Sequence, residues 1–285
     1  MQVRKAVITA AAPDQNRLPL QQLVDRDGND KTALQLIVEE TLAAGVEEIC
    51  VVIKPGDQTA YEQAAGNHLS SLVFVPQPEP LGYAHAISQA KSFIGDDPFL
   101  HLVGDHLYLS NTDQPCAKQL IRVATEFECA VSAVQATREN KLPYFGIVSG
   151  THVPRRDGLF EVERVVEKPT PTFAEQELIT PGLRSGHYLG FFGMHVLTGE
   201  VMAAIDQLLA EGGAAKPTLS DAASILSTRQ RYLAYQVQGT RYNLGVKYGL
   251  LIAQLAIGLS GRDRDYILTE MVDLLAHRPE AQSAR

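Results

Sequence analysis

The sequence predicts an α/β protein: a doubly wound, mostly parallel sheet with helices on both faces and an elaborated C-terminal portion. Two observations carry that reading. Apolar, β-branched runs alternate with segments of helical period over residues 1–140. One of these runs, ICVVI at 49–53, is apolar throughout, as expected of a strand buried on both faces.

Taken in order, Ala6–Thr9 reads as the first strand and Thr32–Ala44 as a helix with one apolar face and Gly45 as its stop. Then come a strand at Glu48–Ile53, a helix at Asp57–Ala65, a strand at Leu72–Pro76 and a helix at Tyr83–Phe93. Phe99–Val103 is the next strand, Cys116–Phe127 a helix and Ala130–Ala136 a strand. Beyond about residue 140 the pattern loosens into strands at Gly146–Ser149, Leu159–Glu167 and His187–Met194. Helices at Glu200–Glu211 and Leu219–Thr228 follow, then one long helical tail from Val246 to His277. Gly212-Gly213 and the closing Ala281–Arg285 read as flexible. A single domain, 1–285, is expected, with halves at 1–140 and 141–245 and a tail at 246–285. Ligands of such sheets gather beyond the carboxyl ends of the strands. Those ends are Thr9–Asn16, Pro76–Gly82 and Gly104–Leu107.

With 45% apolar and 20% charged residues, the 285-residue chain has the make-up of an ordinary globular protein with ample core. No apolar run approaches the roughly 18 residues of a membrane span, so no membrane association is expected. A net charge of −8 argues against a general nucleic-acid binder, though not against one nucleotide held at a local cationic site. Cys50, Cys116 and Cys129 are too scattered for a disulfide framework or a zinc site. The opening MQVRKAVITA has no apolar h-region followed by a cleavage site, and the cytoplasm is the expected compartment.

Four stretches carry residue types suited to chemistry. In LVGDH, 102–106, a strand ends in Gly104-Asp105, placing a carboxylate at the sheet's edge where Gly104 admits a ligand close to the backbone. A hard oxygen donor there suits Mg2+ on a phosphate; the plainer reading is a turn or N-cap aspartate. Strand alternation would put His101 and Asp105 on one face and His106 on the other, which argues against a transition-metal site. In QPEPLGYAHA, 77–86, Gln77 offers a donor and an acceptor for a base edge, and Gly82 opens a helix. In EVERVVEKP, 161–169, Glu167 and Lys168 could accept from sugar hydroxyls and meet a phosphate, or form an inert surface ion pair. In YNLGVKYG, 242–249, Asn243 could supply an oxygen to a metal or cap the tail helix.

Together these stretches resemble the sugar-1-phosphate nucleotidyltransferase family, especially its bacterial glucose-1-phosphate uridylyltransferases, in the family's order over nearly the whole chain. KAVI (5–8), LVD (23–25) and AAG (43–45) match its opening, and PYFGIV (143–148) its sugar-side segment. The resemblance implies a Rossmann-like fold with a nucleotide-binding half and a sugar-phosphate half. It implies Mg2+ on Asp105 and Asn243, base recognition at Gln77 and Gly82, and a sugar phosphate held by Glu167 and Lys168 with room at Gly146. It also implies nucleotide binding at Ala10, Ala11 and Gly104. The implied substrates are a nucleoside triphosphate, UTP, and a sugar 1-phosphate, glucose 1-phosphate. Gln77 alone suits uracil or thymine and leaves guanine open.

Two departures stand out. Most members bear aspartate where this chain has Asn243. The family's glycine-rich GxGTR segment and following PK pair are replaced by AAAPDQNRLP at 10–19, which is shorter, glycine-free and without the lysine. Pro13 has no N–H to offer a phosphate, Asp14 adds a negative charge, and Arg17 becomes the candidate catalytic cation or a plain surface arginine. The alternative function is therefore a catalytically impaired relative that binds a sugar nucleotide as sensor or partner subunit. A nicotinamide-dependent oxidoreductase is excluded by the lack of GxGxxG after the first strand. The apolar positions of the tail fit either internal packing or a homo-oligomer interface.

Overall fold

Side-chain alternation along β1 (Lys5–Thr9) separates the two larger cores: Ala6 and Ile8 face one, and Val7 faces the other. The computed structural model describes residues 1–212 and 216–277, so Gly213 and the Ala281–Arg285 end read above as flexible lie outside the described residues.

A short hairpin, β2 (Gln22–Val24) and β3 (Asp30–Thr32), leads into α1 (Ala33–Ala43). Thr32 caps α1 in a reciprocal capping box with Gln35. Then follow β4 (Glu48–Ile53), α2 (Gln58–Ala65), β5 (Leu72–Pro76), α3 (Tyr83–Ser88), α4 (Lys91–Ile94), β6 (Phe99–Val103) and β7 (His106–Ser110). The middle of the chain forms α5 (Cys116–Phe127), β8 (Ala130–Arg138), β9 (Gly146–His152), β10 (Leu159–Glu167), α6 (Pro171–Glu177) and β11 (His187–Leu197). The rest is α7 (Gly199–Glu211), α8 (Leu219–Arg229), β12 (Tyr232–Gln236), β13 (Gly239–Asn243), α9 (Gly249–Leu259) and α10 (Arg264–Ala276).

Nine strands form one sheet in the order β5-β4-β1-β6-β11-β8-β12-β10-β9. The first four run parallel, as the β-α alternation predicts. Beyond them the expected mostly parallel character gives way to a mixed sheet, in which only β8 and β12 pair parallel. β11 inserts antiparallel between β6 and β8, and β10 is antiparallel to both β12 and β9. Residue pattern registers burial, not strand direction, so this half was not legible. α1, α2, α5 and α9 cover one face of the sheet, and α3, α7 and α8 the other.

Two predicted helices are broken. Tyr83–Phe93 divides into α3 and α4 around Gln89 and Ala90. The tail is two helices, and Val246–Tyr248 precedes them as a turn in which Tyr248 is left-handed (φ 64°). Between α9 and α10 the side-chain-free Gly261 lies against the Arg26 carbonyl, which accepts from Arg262 N at 2.9 Å. Beside it, Gln254 of α9 donates to Val24 O at 3.0 Å and accepts from Val24 N at 2.8 Å. The hairpin and the tail are thus clipped together.

β7 and β13 form a separate two-stranded ribbon in which Asn243 pairs with His106. This ribbon, absent from the predicted elements, carries one end of the site.

Candidate active site

The carboxyl ends of β1, β5 and β6 open onto a cleft of about 700 Å³. Seven of the predicted site residues line it: Ala11, Gln77, Gly82, Asp105, Glu167, Lys168 and Asn243. Four do not, each for a visible reason.

Arg17 is exposed at the start of a one-turn 3-10 helix and away from the cleft lining. Ala10 is buried in the wall, donating to Val52 O at 2.8 Å and accepting from the Tyr61 hydroxyl. Gly104 is occupied by the protein itself: a Cβ there would lie 3.0 Å from both Ala10 Cβ and Thr9 O. Its freedom serves strand-to-loop packing, not ligand approach. Gly146 likewise makes room for Ser220 Oγ and Phe191, with Glu167 Oε2 3.1 Å from a Cβ placed there.

The opening turn is no phosphate nest. No residue from Ala10 to Arg17 has a positive φ, and the Gln15 and Asn16 amides turn back onto Ala12 O at 3.0 and 2.9 Å. Asp14 is exposed and does not line the cleft.

Asp105 sits in the Gly104-Asp105 turn between β6 and β7, its Oδ1 2.8 Å from His106 Nδ1. Both side chains line the cleft, which corrects the expectation of opposite faces: alternation ends with the strand at Val103. Burial alone would raise the Asp105 pKa, but the His106 charge and hydrogen bond outweigh it and hold the carboxyl below its ordinary value. Leu244 N donates to Asp105 O at 2.8 Å, fixing Asn243 beside it. Asn243 caps no helix; its Oδ1 accepts from Gly245 N at 2.7 Å and retains a second lone pair. Among the described residues no three His, Cys, Asp or Glu side chains assemble as a metal site. Two hard oxygen donors are what a cation completed by water and substrate phosphates requires, so this pair fits Mg2+ better than a transition metal.

Gln77 is buried, and its amide nitrogen lies 3.2 Å from Gly82 O and 3.0 Å from His85 Nδ1. The donor half is committed, so the oxygen is the atom left for a ligand. Gly82 (φ 116°) presses against Lys216 Cβ and Pro217 O, each 2.9 Å from where its Cβ would be, and Pro217 O accepts from Ala84 N. The start of α3 therefore docks on the protein instead of offering free amides.

Glu167 ends β10 and accepts from the Ser220 hydroxyl at 2.5 Å. Lys168 follows with its Nζ 3.6 Å from Glu167 Oε1 and a left-handed backbone (φ 47°). A lysine pays for that conformation, which persists because its amide donates to Phe145 O at 3.2 Å.

Sequence reasoning missed Thr9, Tyr83, Tyr144, Lys216 and Lys247, which also line the cleft. Lys216 Nζ donates to Pro80 O at 2.5 Å. Lys247 has no hydrogen-bond acceptor or carboxylate among the described residues and lies on the strap just past Asn243. Its signal was present in YNLGVKYG, hidden by reading the tail as helical from Val246. Three lysines against Asp105 and Glu167 give the cleft a cationic balance in an acidic protein.

A family model described as Nucleotidyl transferase matches residues 20–242, beginning just past the glycine-free turn. The UTP–glucose-1-phosphate uridylyltransferase of Streptococcus pneumoniae is 30% identical over 87% of this chain and 88% of its own. The UTP–glucose-1-phosphate uridylyltransferase YngB of Bacillus subtilis is 28% identical over 96% of each. A crystal structure of a UDP-glucose pyrophosphorylase complexed with UDP-glucose has the same fold, with a TM-score of 0.74 over 90% of this chain and 98% of its own at 23% identity. The chain belongs to the nucleotidyl transferase family, as a sugar-1-phosphate nucleotidyltransferase similar to the UTP–glucose-1-phosphate uridylyltransferases.

Proposed function

We propose that the protein makes UDP-glucose and pyrophosphate from UTP and glucose 1-phosphate. The carrying observation is one cleft that gathers Gln77, Asp105 and Asn243 with Glu167 and Lys168, in a chain whose relatives bear that name.

The 1-phosphate oxygen attacks the α-phosphorus of UTP in line, and the bond to the departing pyrophosphate breaks. Such a reaction asks for positioning and neutralised charge. Gln77 Oε1 accepts from the uracil N3–H, while Gly82 and Ala11 shape the nucleotide's side of the cleft. Lys168 meets the 1-phosphate and Glu167 accepts from a sugar hydroxyl, with Gly146, behind them, leaving Glu167 its space. Asp105 and Asn243 hold Mg2+, which when bound neutralises and orients the triphosphate oxygens. Lys247 takes the role that Arg17 was expected to fill, because it reaches the cleft and Arg17 does not.

The same reading makes the chain one doubly wound, Rossmann-like domain: a nucleotide-binding half at 1–140, a sugar-phosphate half at 141–245 and a tail from 246. It acts in the cytoplasm on small molecules, without nucleic acid or membrane. Among the described residues no helix is long and apolar enough to cross a membrane. Leu251, Ile252, Val272, Leu274 and Leu275 are exposed along α9 and α10 and support a homo-oligomer, which sedimentation at rising protein concentration tests.

The binding-only alternative is not favoured, since the curated relatives are uridylyltransferases. The deciding assay is pyrophosphate release with Mg2+ and glucose 1-phosphate across UTP, dTTP, GTP, ATP and CTP. Release with UTP that is abolished in Asp105→Ala is expected. UDP-glucose binding without release from any triphosphate would restore the alternative.

A further inference from the structure

Beneath the cleft floor lies a polar cluster that the reaction as described leaves unused. His101 on β6 is fully buried, with its ring 5.7 Å from that of His195. Burial, and then the neighbouring His195, push its pKa well below the usual value, so it is neutral and carries one ring proton. His101 Nδ1 is buried without a hydrogen-bond partner among the described residues, whereas Nε2 lies 3.3 Å from Thr9 Oγ1 and 3.4 Å from the Tyr83 hydroxyl.

The placement of that proton follows from this asymmetry. A proton on Nδ1 would be a buried N–H with nothing to accept it, which folded proteins almost never tolerate. A bare lone pair there costs less. The proton therefore sits on Nε2, and His101 donates to the hydroxyl pair above it.

The pair holds two hydroxyl protons of its own. With Nε2 already a donor, neither proton has an acceptor in the cluster among the described residues. Both residues line the cleft, and the phenol, the more acidic hydroxyl, is the better donor to an anion. Tyr83 stands in the field of both Asp105 and Glu167, and all three line the same cleft.

We infer that Tyr83 is a substrate-contacting residue, its O–H held by buried His101 to donate to a phosphoryl oxygen in the cleft that Asp105 and Glu167 also line. The inference rests on the proposed uridylyltransferase reading. His101 is then a positioning residue, two atoms removed from the substrate. No proton is transferred; the hydroxyl contributes a hydrogen bond to a charged acceptor.

Tyr83→Phe keeps the ring and removes only the hydroxyl. With wild-type protein turning over, the variant should lose about tenfold to a hundredfold in kcat/KM for glucose 1-phosphate and bind UDP-glucose about tenfold more weakly. Its denaturant midpoint should match the wild type. A long-range 1H–15N correlation on histidine-labelled wild-type protein should show His101 protonated at Nε2. Active wild-type protein with Tyr83→Phe within twofold of it overturns the inference, as does His101 protonated at Nδ1. Wild-type protein that neither turns over nor binds UDP-glucose defeats the functional reading itself, and the inference with it.

Discussion

Ser220 donates its hydroxyl to Glu167 Oε2 at 2.5 Å, tying the first turn of α8 to the end of β10. The bond fixes which carboxylate oxygen faces the cleft. Ser220→Ala should raise the KM for glucose 1-phosphate about threefold to tenfold, the cost of about one hydrogen bond, and leave the KM for UTP unchanged. Steady-state kinetics with each substrate varied in turn reads the difference.

Lys168 holds a left-handed backbone that glycine would adopt without strain. Lys168→Gly should therefore raise unfolding stability by about 0.5–1 kcal/mol while lowering kcat/KM by about a hundredfold through the lost cation. Urea unfolding alongside activity shows whether stability and turnover move in opposite directions.

Lys247 reaches the cleft and Arg17 does not. Lys247→Ala should raise the KM for UTP about tenfold, and Arg17→Ala should change it less than twofold. The reverse order would return the triphosphate to the opening turn.

Glu40 of α1 accepts from Ala117 N at 2.8 Å at the start of α5, and burial, opposed by bonds from the Ala117 and Cys116 amides, raises its pKa to about 7 from 4.5. The folded state thus binds this proton more tightly than the unfolded chain. Its stabilising effect is complete below pH 4.5 and is lost as pH rises through about 7. Glu40→Gln should remove that loss, so the variant gains about 1–3 kcal/mol on the wild type between pH 5 and 8. Urea midpoints across that range give the comparison.

The parallel half of the sheet was legible because its strands are buried on both faces and announce themselves as apolar runs, as ICVVI does. Asp105, Gln77, Glu167 and Lys168 were legible at strand ends and Asn243 in a turn before the tail, and all five line the cleft. The β7–β13 ribbon was not, since its pairing joins residues 129 to 137 apart and no local pattern encodes it. His106 was misplaced because alternation was carried three residues past the end of β6. Thr9 and Tyr83 were passed over because each reads alone as a strand end and a helix start. Their significance lies in the His101 nitrogen left without a partner among the described residues, which only packing reveals.

The clip between Val24 and Gln254 makes the two ends of the described chain one cooperative unit. Lys247 and Asn243 ride on the segment leading into that clip, and Asp25 on the hairpin it holds. A cut in the chain between β13 and α9 would loosen the hairpin more than 200 residues upstream as well as the tail. The amides of Val24 and Arg262, distant in sequence, should accordingly exchange with solvent in step, as a single latch that opens at both ends or not at all.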